Sequence, residues 1–415
     1  MGRAVEIFVI LVACAIAAVS TYYLTQADEP AKIYDVDVTI NNPNAGELMT
    51  SGGKCVDGYS FTCSVRTTAD GYSFDGWFDG DVLMSPSQTY TFAVRKHITL
   101  EARYSIVYDS SFTIAPAYAI SPATITMTSK YNVEIVQRTW LVEDVITGET
   151  VVNKVTYHGD DETVTFGVTG GKVLSITHIV EYSDGHTTTT KIVKIVDETV
   201  TKHFSWKYQK GVWSIFGLIN NMTADWDPPL SFAWYYNALT SPLPRGGGGT
   251  MSSFVTYNDP TIRSLALELK SKDPGMDELA LANYILKFVQ SLPYEYDIDG
   301  KGVNEYWKLP AETVWEGKGD CEDHAFLYAA LLMSLGYEVV LHKVNCYSGS
   351  DFLGTHMAVG VHIADEPSGG ASYVTIGGER YYYCETTAEV GTSWLNSANV
   401  GYRPPDYVIA QTYTL

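Results

Sequence analysis

The stretch "EGKGDCEDHAFLYAALLMSLGY", residues 316–337, sets a cysteine and a histidine among acids and then turns abruptly apolar. Gly317 and Gly319 allow a tight turn ahead of a run, Cys321 to Leu335, that has helical spacing. Cys321, Ala325, Tyr328, Ala329 and Leu332 share one face, with Phe326, Ala330 and Met333 beside it. Gly336 supplies a left-handed stop. Cys321 is therefore expected at a helix N-terminus, where unpaired backbone N–H groups favour an anion and lower a thiol pKa. Asp320, Glu322 and Asp323 suit the cap of such a helix, yet their charge opposes a thiolate.

Two helical patterns precede this stretch, "DPTIRSLALELKSK" at 259–272 and "GMDELALANYILKFVQSL" at 275–292. Five strand-like runs follow it, which together predict an α+β domain. In "THMAVGVHI", 355–363, His356, Ala358, Gly360 and His362 face one way and Met357, Val359, Val361 and Ile363 the other. Glu385 ends "RYYYCETT" on the face of Tyr381 and Tyr383. A cysteine at a helix start and a histidine and an acid on strands can form a nucleophile, its base and the base's orienter. The plainer reading makes Cys321 a core thiol, His356 a satisfied strand histidine and Glu385 an edge-strand charge. A mixed zinc site from Cys321, His324 and His356 competes, but the spacing matches no common ligand pair.

These pieces resemble the transglutaminase-like superfamily of papain-like fold, especially exported archaeal and bacterial members that carry the domain at the C-terminus of an anchored chain. The resemblance rests on "FVQSLPYEYD" (288–297), "PAETVWEGKGDCEDHAFLYAALLMSLGY" (310–337), "THMAVGVHI" and "YYYCETT" (381–387). It implies nucleophile Cys321, base His356 and orienting acid Glu385, the last a departure from the family's usual Asp. It also implies an oxyanion donor upstream, with Gln290 and Tyr294 as candidates besides the Cys321 backbone N–H. No cofactor or metal is called for. Further up the chain, "GYSFDGWFDGD" (71–81) and "ITLEARY" (98–104) resemble the small extracellular β-repeat of the internalin B-repeat type, which implies a spacer or adhesive module. Within it, Trp77 and Phe74 are expected in the core rather than as sugar-stacking platforms.

The chain thus reads as multidomain: an N-terminal transmembrane helix, two all-β modules and a C-terminal α+β papain-like domain. The divisions are an anchor (1–29), a small β-repeat domain (30–105), a β-sandwich (106–200), an aromatic-rich connector (201–249) and the transglutaminase-like domain (250–415). The anchor is the uncharged run 7–24, near the lower length limit for crossing a bilayer; cleavage, or lipidation at Cys14, are its competitors. All three place residues 30–415 outside the cytoplasm, and the retained anchor makes the protein single-pass at the cell membrane. "PLPRGGGGT" (242–250) reads as a flexible joint. Cys55 with Cys63, and Cys346 with Cys384 across adjacent strands, are candidate disulfides. Asn221 opens an N-M-T glycosylation pattern. His178, His186 and His203 are scattered without ligand spacing.

With 27 basic against 48 acidic residues the formal charge is −21, and the absence of any Lys/Arg cluster excludes nucleic acid as a partner. The expected function is an extracytoplasmic cysteine-dependent acyl-transfer or hydrolysis enzyme. It would act on protein or peptide amide bonds, including cell-envelope material, through a thioester. The alternative is a non-catalytic surface adhesive or envelope protein with a relic transglutaminase-like domain.

Overall fold

The computed structural model describes residues 13–15, 31–130, 133–160, 162–209, 221–246, 249–272, 274–367, 370–387 and 399–415. Apart from 13–15, where Cys14 is an exposed thiol, the apolar run 7–24 lies outside these residues. No helix among the described residues is long and apolar enough to cross a membrane. The chain is multidomain and largely β, and it forms two compact units. The first comprises the chain up to Ala117 with Thr124–Gly167 and Val173–Lys194; the second comprises Tyr118–Ala123, Val168–Lys172 and Ile195–Leu415.

In the first unit, Ile33–Ile40 runs parallel to Ile98–Ile106 at the centre of a five-stranded sheet. A three-stranded sheet of Gly46–Leu48, Ser60–Thr67 and Thr89–Ala93 completes that module. Alternation of apolar side chains buries Val36, Leu100 and Ala102 completely. Trp77 is also fully buried, its Nε1 donating to the Gln88 carbonyl at 3.4 Å, so it is a core residue and not a stacking platform. Further on, a second pair of sheets is joined by ring packing. Phe112 of the three-stranded sheet meets Trp140 of the larger one edge-on at 5.2 Å, and His178 stacks on Trp140 at 3.9 Å. His178 is therefore a packing residue, bonded through Nδ1 to the Ser110 carbonyl.

The second unit starts earlier than the composition suggested. Phe204–Gln209 pairs with Asn221–Trp226, and Phe204, Trp206 and Trp226 surround Phe288 of the helix Glu278–Gln290 at 5.1–5.3 Å. Within the stretch expected to be a connector, Phe204, Trp206 and Trp226 are core of this unit, because such rings remove large apolar areas from water only when a partner covers them. Asn221 opens its strand, and its side chain lies outside what is described. At the expected joint, Arg245 donates to Glu312, to the Trp307 carbonyl at 2.8 Å and to the Ala238 carbonyl. Asp259 and Asp277 cap the helices Pro260–Ser271 and Glu278–Gln290 by accepting N–H groups of the first turn.

At the centre lies the cysteine helix, Cys321–Ser334, in which every residue from Ala325 to Leu332 has no exposed surface. The single apolar face read from spacing understates this burial. Helices Pro260–Ser271, Glu278–Gln290 and Pro310–Glu316 surround it, and an antiparallel sheet covers the remaining side. The strand order is Tyr373–Ile376, Glu379–Cys384, Asp351–His362, Val339–Ser348 and Tyr407–Thr414. No strand before Val339 enters this sheet among the described residues. Met357, Val359, Val361 and Ile363 point into the helical core, while Ala358 packs with Val344 and Tyr383 on the opposite face. Gly360 is required there: a Cβ would lie 2.6 Å from Nε2 of the buried His342.

All six cysteines are free thiols. The expected Cys346–Cys384 pair fails because the strand Asp351–His362 lies between theirs, two sheet spacings apart. Cys55 and Cys63 belong to different sheets of their module, and each thiol faces a carbonyl instead, of Tyr59 and Tyr90 respectively. Trp226→Ala and Phe288→Ala should each cost about 3–5 kcal/mol in urea denaturation of the full chain. A loss under about 1 kcal/mol would show that the aromatic hairpin is not core.

Candidate active site

The cysteine helix is aimed by its approach. The helix Pro310–Glu316 ends on Gly317, at φ 70°, a left-handed stop that glycine adopts without a Cβ clash. Two residues later Gly319 pairs with the upstream strand-like segment: its N–H donates to the Pro293 carbonyl at 3.2 Å and its carbonyl accepts from Glu295 N at 2.9 Å. A Cβ on Gly319 would meet Asp323 Cβ at 2.6 Å. Asp320 is the N-cap and exchanges hydrogen bonds with Asp323 in a capping box, which makes Cys321 the first helical residue.

This pairing brings Tyr294 to Cys321, since residue 294 sits between the two residues tied to Gly319. The Tyr294 hydroxyl lies against the sulfur. Cys321 is buried, at 7% exposure, and donates to Glu322 Oε2 at 2.8 Å. The Met357 N–H approaches the sulfur from the histidine strand. Burial first, then the charges of Glu322 and Asp320, push the thiol well above its ordinary value, and the Met357 N–H offsets only part of this. The helix terminus alone favours a thiolate; burial, helped by the acidic neighbours, outweighs it and favours the neutral thiol.

His356, the residue before Met357, directs Nε2 to Glu385 Oε1 at 2.7 Å, which leaves Nδ1 for a second partner. Glu385 is 1% exposed and fully engaged: Thr387 Oγ1 and N also donate to Oε1, at 2.8 and 3.2 Å, and the Tyr383 hydroxyl donates to Oε2 at 3.1 Å. Burial works to raise the Glu385 pKa, but His356 and the Thr387 donors hold it below the usual value. Burial likewise opposes a charged His356, and Glu385 and Glu322 outweigh it, so the imidazole pKa is raised. The carboxylate therefore has the length to reach the ring despite being Glu.

Gln290 is elsewhere. Its Nε2 donates to the Glu385 backbone carbonyl at 2.6 Å, and its Oε1 accepts from Lys287 Nζ at 3.0 Å, so this amide serves the acid strand and not the sulfur. Of the two upstream candidates, only Tyr294 meets Cys321. Glu322 is the residue that sequence reasoning missed, because a charge in a first helical turn ordinarily faces water. His324 is fully buried beside the Thr386 backbone, with neither ring nitrogen in hydrogen-bond geometry. Burial, aided by Lys308, pushes it down to about 4, a neutral core imidazole.

Beneath the cap lies a charged cluster. Carboxylate oxygens of Asp297, Asp320 and Asp323 lie within 4.8 Å of one another. Lys308, 1% exposed, places Nζ 3.3 Å from both Asp323 and Glu316. Burial and the neighbouring acids push Asp320 up to about 9; burial pushes Asp323 up to about 7 against the pull of Lys308.

Residues 260–367 match the model of a transglutaminase-like domain. That span holds Cys321 and His356, while Glu385 lies beyond it. Residues 36–107 match the model of a divergent InlB B-repeat domain. No curated protein matches the chain. Among solved structures, a chain from Cytophaga hutchinsonii provisionally described as a cysteine protease is 13% identical. It covers 68% of this chain and 76% of its own, with a TM-score of 0.24. A provisionally described protease from Parabacteroides distasonis is 10% identical over 85% of this chain and 66% of its own, with a TM-score of 0.20. Fibronectin(III)-like modules of Clostridium thermocellum CbhA are 12% identical over 40% of this chain and 95% of their own, with a TM-score of 0.16. Superpositions this loose assign no role to this chain.

Removing the buried cation should expose how the cap is balanced. Lys308→Met leaves Asp323 and Glu316 without it and should destabilise the protein by about 3–5 kcal/mol near neutral pH. Carboxyls whose folded pKa is raised lose stability as pH climbs from the ordinary carboxyl range towards that raised value. The penalty should therefore be smaller at pH 5 than at pH 8 in chemical denaturation. An equal penalty at both would show that Lys308 acts by packing alone.

Proposed function

We propose that the chain is a cysteine-dependent acyl-transfer or hydrolysis enzyme acting on protein or peptide amide bonds outside the cytoplasm. The observation that carries this is the buried His356–Glu385 pair, with His356 on a strand whose Met357 N–H approaches the thiol of a cysteine that opens a helix; Cys321 and His356 lie inside the region matching a transglutaminase-like domain, and Glu385 just beyond it. Cys321 is the nucleophile, His356 the base and Glu385 its orienter. The neutral thiol gives its proton to His356 Nδ1 as Sγ attacks the carbonyl carbon. The imidazolium so formed is stabilised by Glu385. Charge on the carbonyl oxygen is met by the Cys321 backbone N–H and the Tyr294 hydroxyl. The tetrahedral species collapses, the C–N bond breaks, and His356 returns the proton to the departing amine. Water, or an amine, then attacks the thioester carbon with His356 again taking the proton; the C–S bond breaks, and His356 returns that proton to the departing Cys321 sulfur. The membrane, through the apolar run 7–24, and cell-envelope proteins or peptides are the proposed partners.

A peptide-amide panel, with and without an added primary amine, tests this reading. Cys321→Ala and His356→Ala should abolish turnover, and Glu385→Gln should reduce kcat by about 10²–10⁴. Tyr294→Phe should lower kcat by about 10²-fold with KM little changed. Because Glu385 and Glu322 raise the His356 pKa, kcat/KM should climb with pH through a midpoint above 6.5. Glu385→Gln should move that midpoint down. Turnover that survives Cys321→Ala would leave the non-catalytic reading of this domain in front.

A further inference from the structure

Gln290 lies on a helix that carries none of the reacting groups, and it is 9% exposed. Its amide nevertheless has both ends in use. Lys287, one turn back on the same helix, donates from Nζ to Oε1 at 3.0 Å. A side-chain carboxamide whose oxygen accepts from Nζ has its NH₂ pointing the other way. That NH₂ meets the Glu385 carbonyl at 2.6 Å, across 95 residues of sequence. We propose that Gln290 is a positioning residue that, with its amide oriented by Lys287, fixes the end of the acid strand so that the Glu385 carboxylate meets His356. The proposal rests on the cysteine–histidine–glutamate reading given above.

The need for such a clamp follows from where Glu385 sits. The strand Glu379–Cys384 ends one residue before it, and the pairing to the histidine strand stops at Cys384 with Val359. Ladder hydrogen bonds therefore do not fix the Glu385 backbone in register with His356. The side chain is held by Tyr383 and Thr387, both on its own segment, so those bonds move with it. Gln290 ties the backbone of this residue to a different, rigid element. A misplacement of about 1 Å at such a contact costs about 10²-fold in rate.

The test reads the imidazole itself. Full-length protein labelled at the histidine side chains is titrated by NMR, the His356 resonance being assigned by its loss in His356→Ala. The charged groups acting on this ring are Glu385 and Glu322, with the Tyr407 ring packed at 5.4 Å. Gln290→Met keeps the volume and removes the donor; Gln290→Leu also removes it, and neither adds a charge near Glu385. Both should lower the His356 midpoint towards that of Glu385→Gln and reduce kcat about ten- to hundredfold with KM unchanged. A merely structural Gln290 predicts a lower Tm with the midpoint and kcat unmoved in the folded variant, and that result overturns the clamp. The clamp and the cysteine chemistry fail separately. If Cys321→Ala abolishes turnover while both Gln290 variants keep the wild-type midpoint, only the clamp falls. If Cys321→Ala remains active, the catalytic reading falls and with it the role assigned to Gln290.

Discussion

A 2.7 Å contact between His356 and Glu385, almost sealed from water, is the constraint on which the second unit depends. An ion pair taken out of water is costly unless its remaining lone pairs are satisfied. Here every further donor comes from the residues around the acid: Tyr383 and Thr387 on the carboxylate, Gln290 on its backbone. The sheet supplies the histidine, a helix supplies the backbone clamp, and the cysteine helix lies against both. The burial of Ala325–Leu332 on all sides fixes where that helix begins. That start point decides where the thiol can be.

On the proposed reading, Cys321 is a nucleophile activated only during reaction. Acidic residues crowd the helix start, and the sulfur donates to one of them. A thiolate at rest would sit against Glu322 and Asp320. Proton transfer to the imidazole coupled to attack avoids that state, and the raised His356 pKa favours its accepting the proton. Lys308 holds the cluster below the cap together while leaving the thiol's immediate neighbours acidic.

Much of this was legible in the sequence because local rules and tertiary needs coincide there. Asp320 caps, Cys321 begins a helix, Gly336 ends it at φ 95°, and the alternation through 355–363 sorts core from far face as the period of two requires. What was hidden depended on the neighbour. The stretch 201–249 reads as a connector because no pattern in it reveals Phe288 as the partner of Phe204, Trp206 and Trp226. Gln290 and Tyr294, four residues apart, were equal candidates for one role until the pairing of 293–295 with Gly319 separated them. Glu322 read as a solvated cap charge, and only the packed site shows it against the sulfur. Excluding a Cys346–Cys384 disulfide requires the strand order, which sequence spacing does not carry.

The central claim is that Cys321 carries an acyl group during turnover. The direct measurement is peptide mapping by mass spectrometry of the full-length protein, quenched in acid within milliseconds of mixing with an activated aryl ester. The account predicts an acyl mass on the peptide containing Cys321, labile to hydroxylamine as a thioester is, and absent in Cys321→Ala. In His356→Ala the adduct should form far more slowly. Acylation confined to other residues, or product release in a burst with Cys321 unmodified, would contradict it.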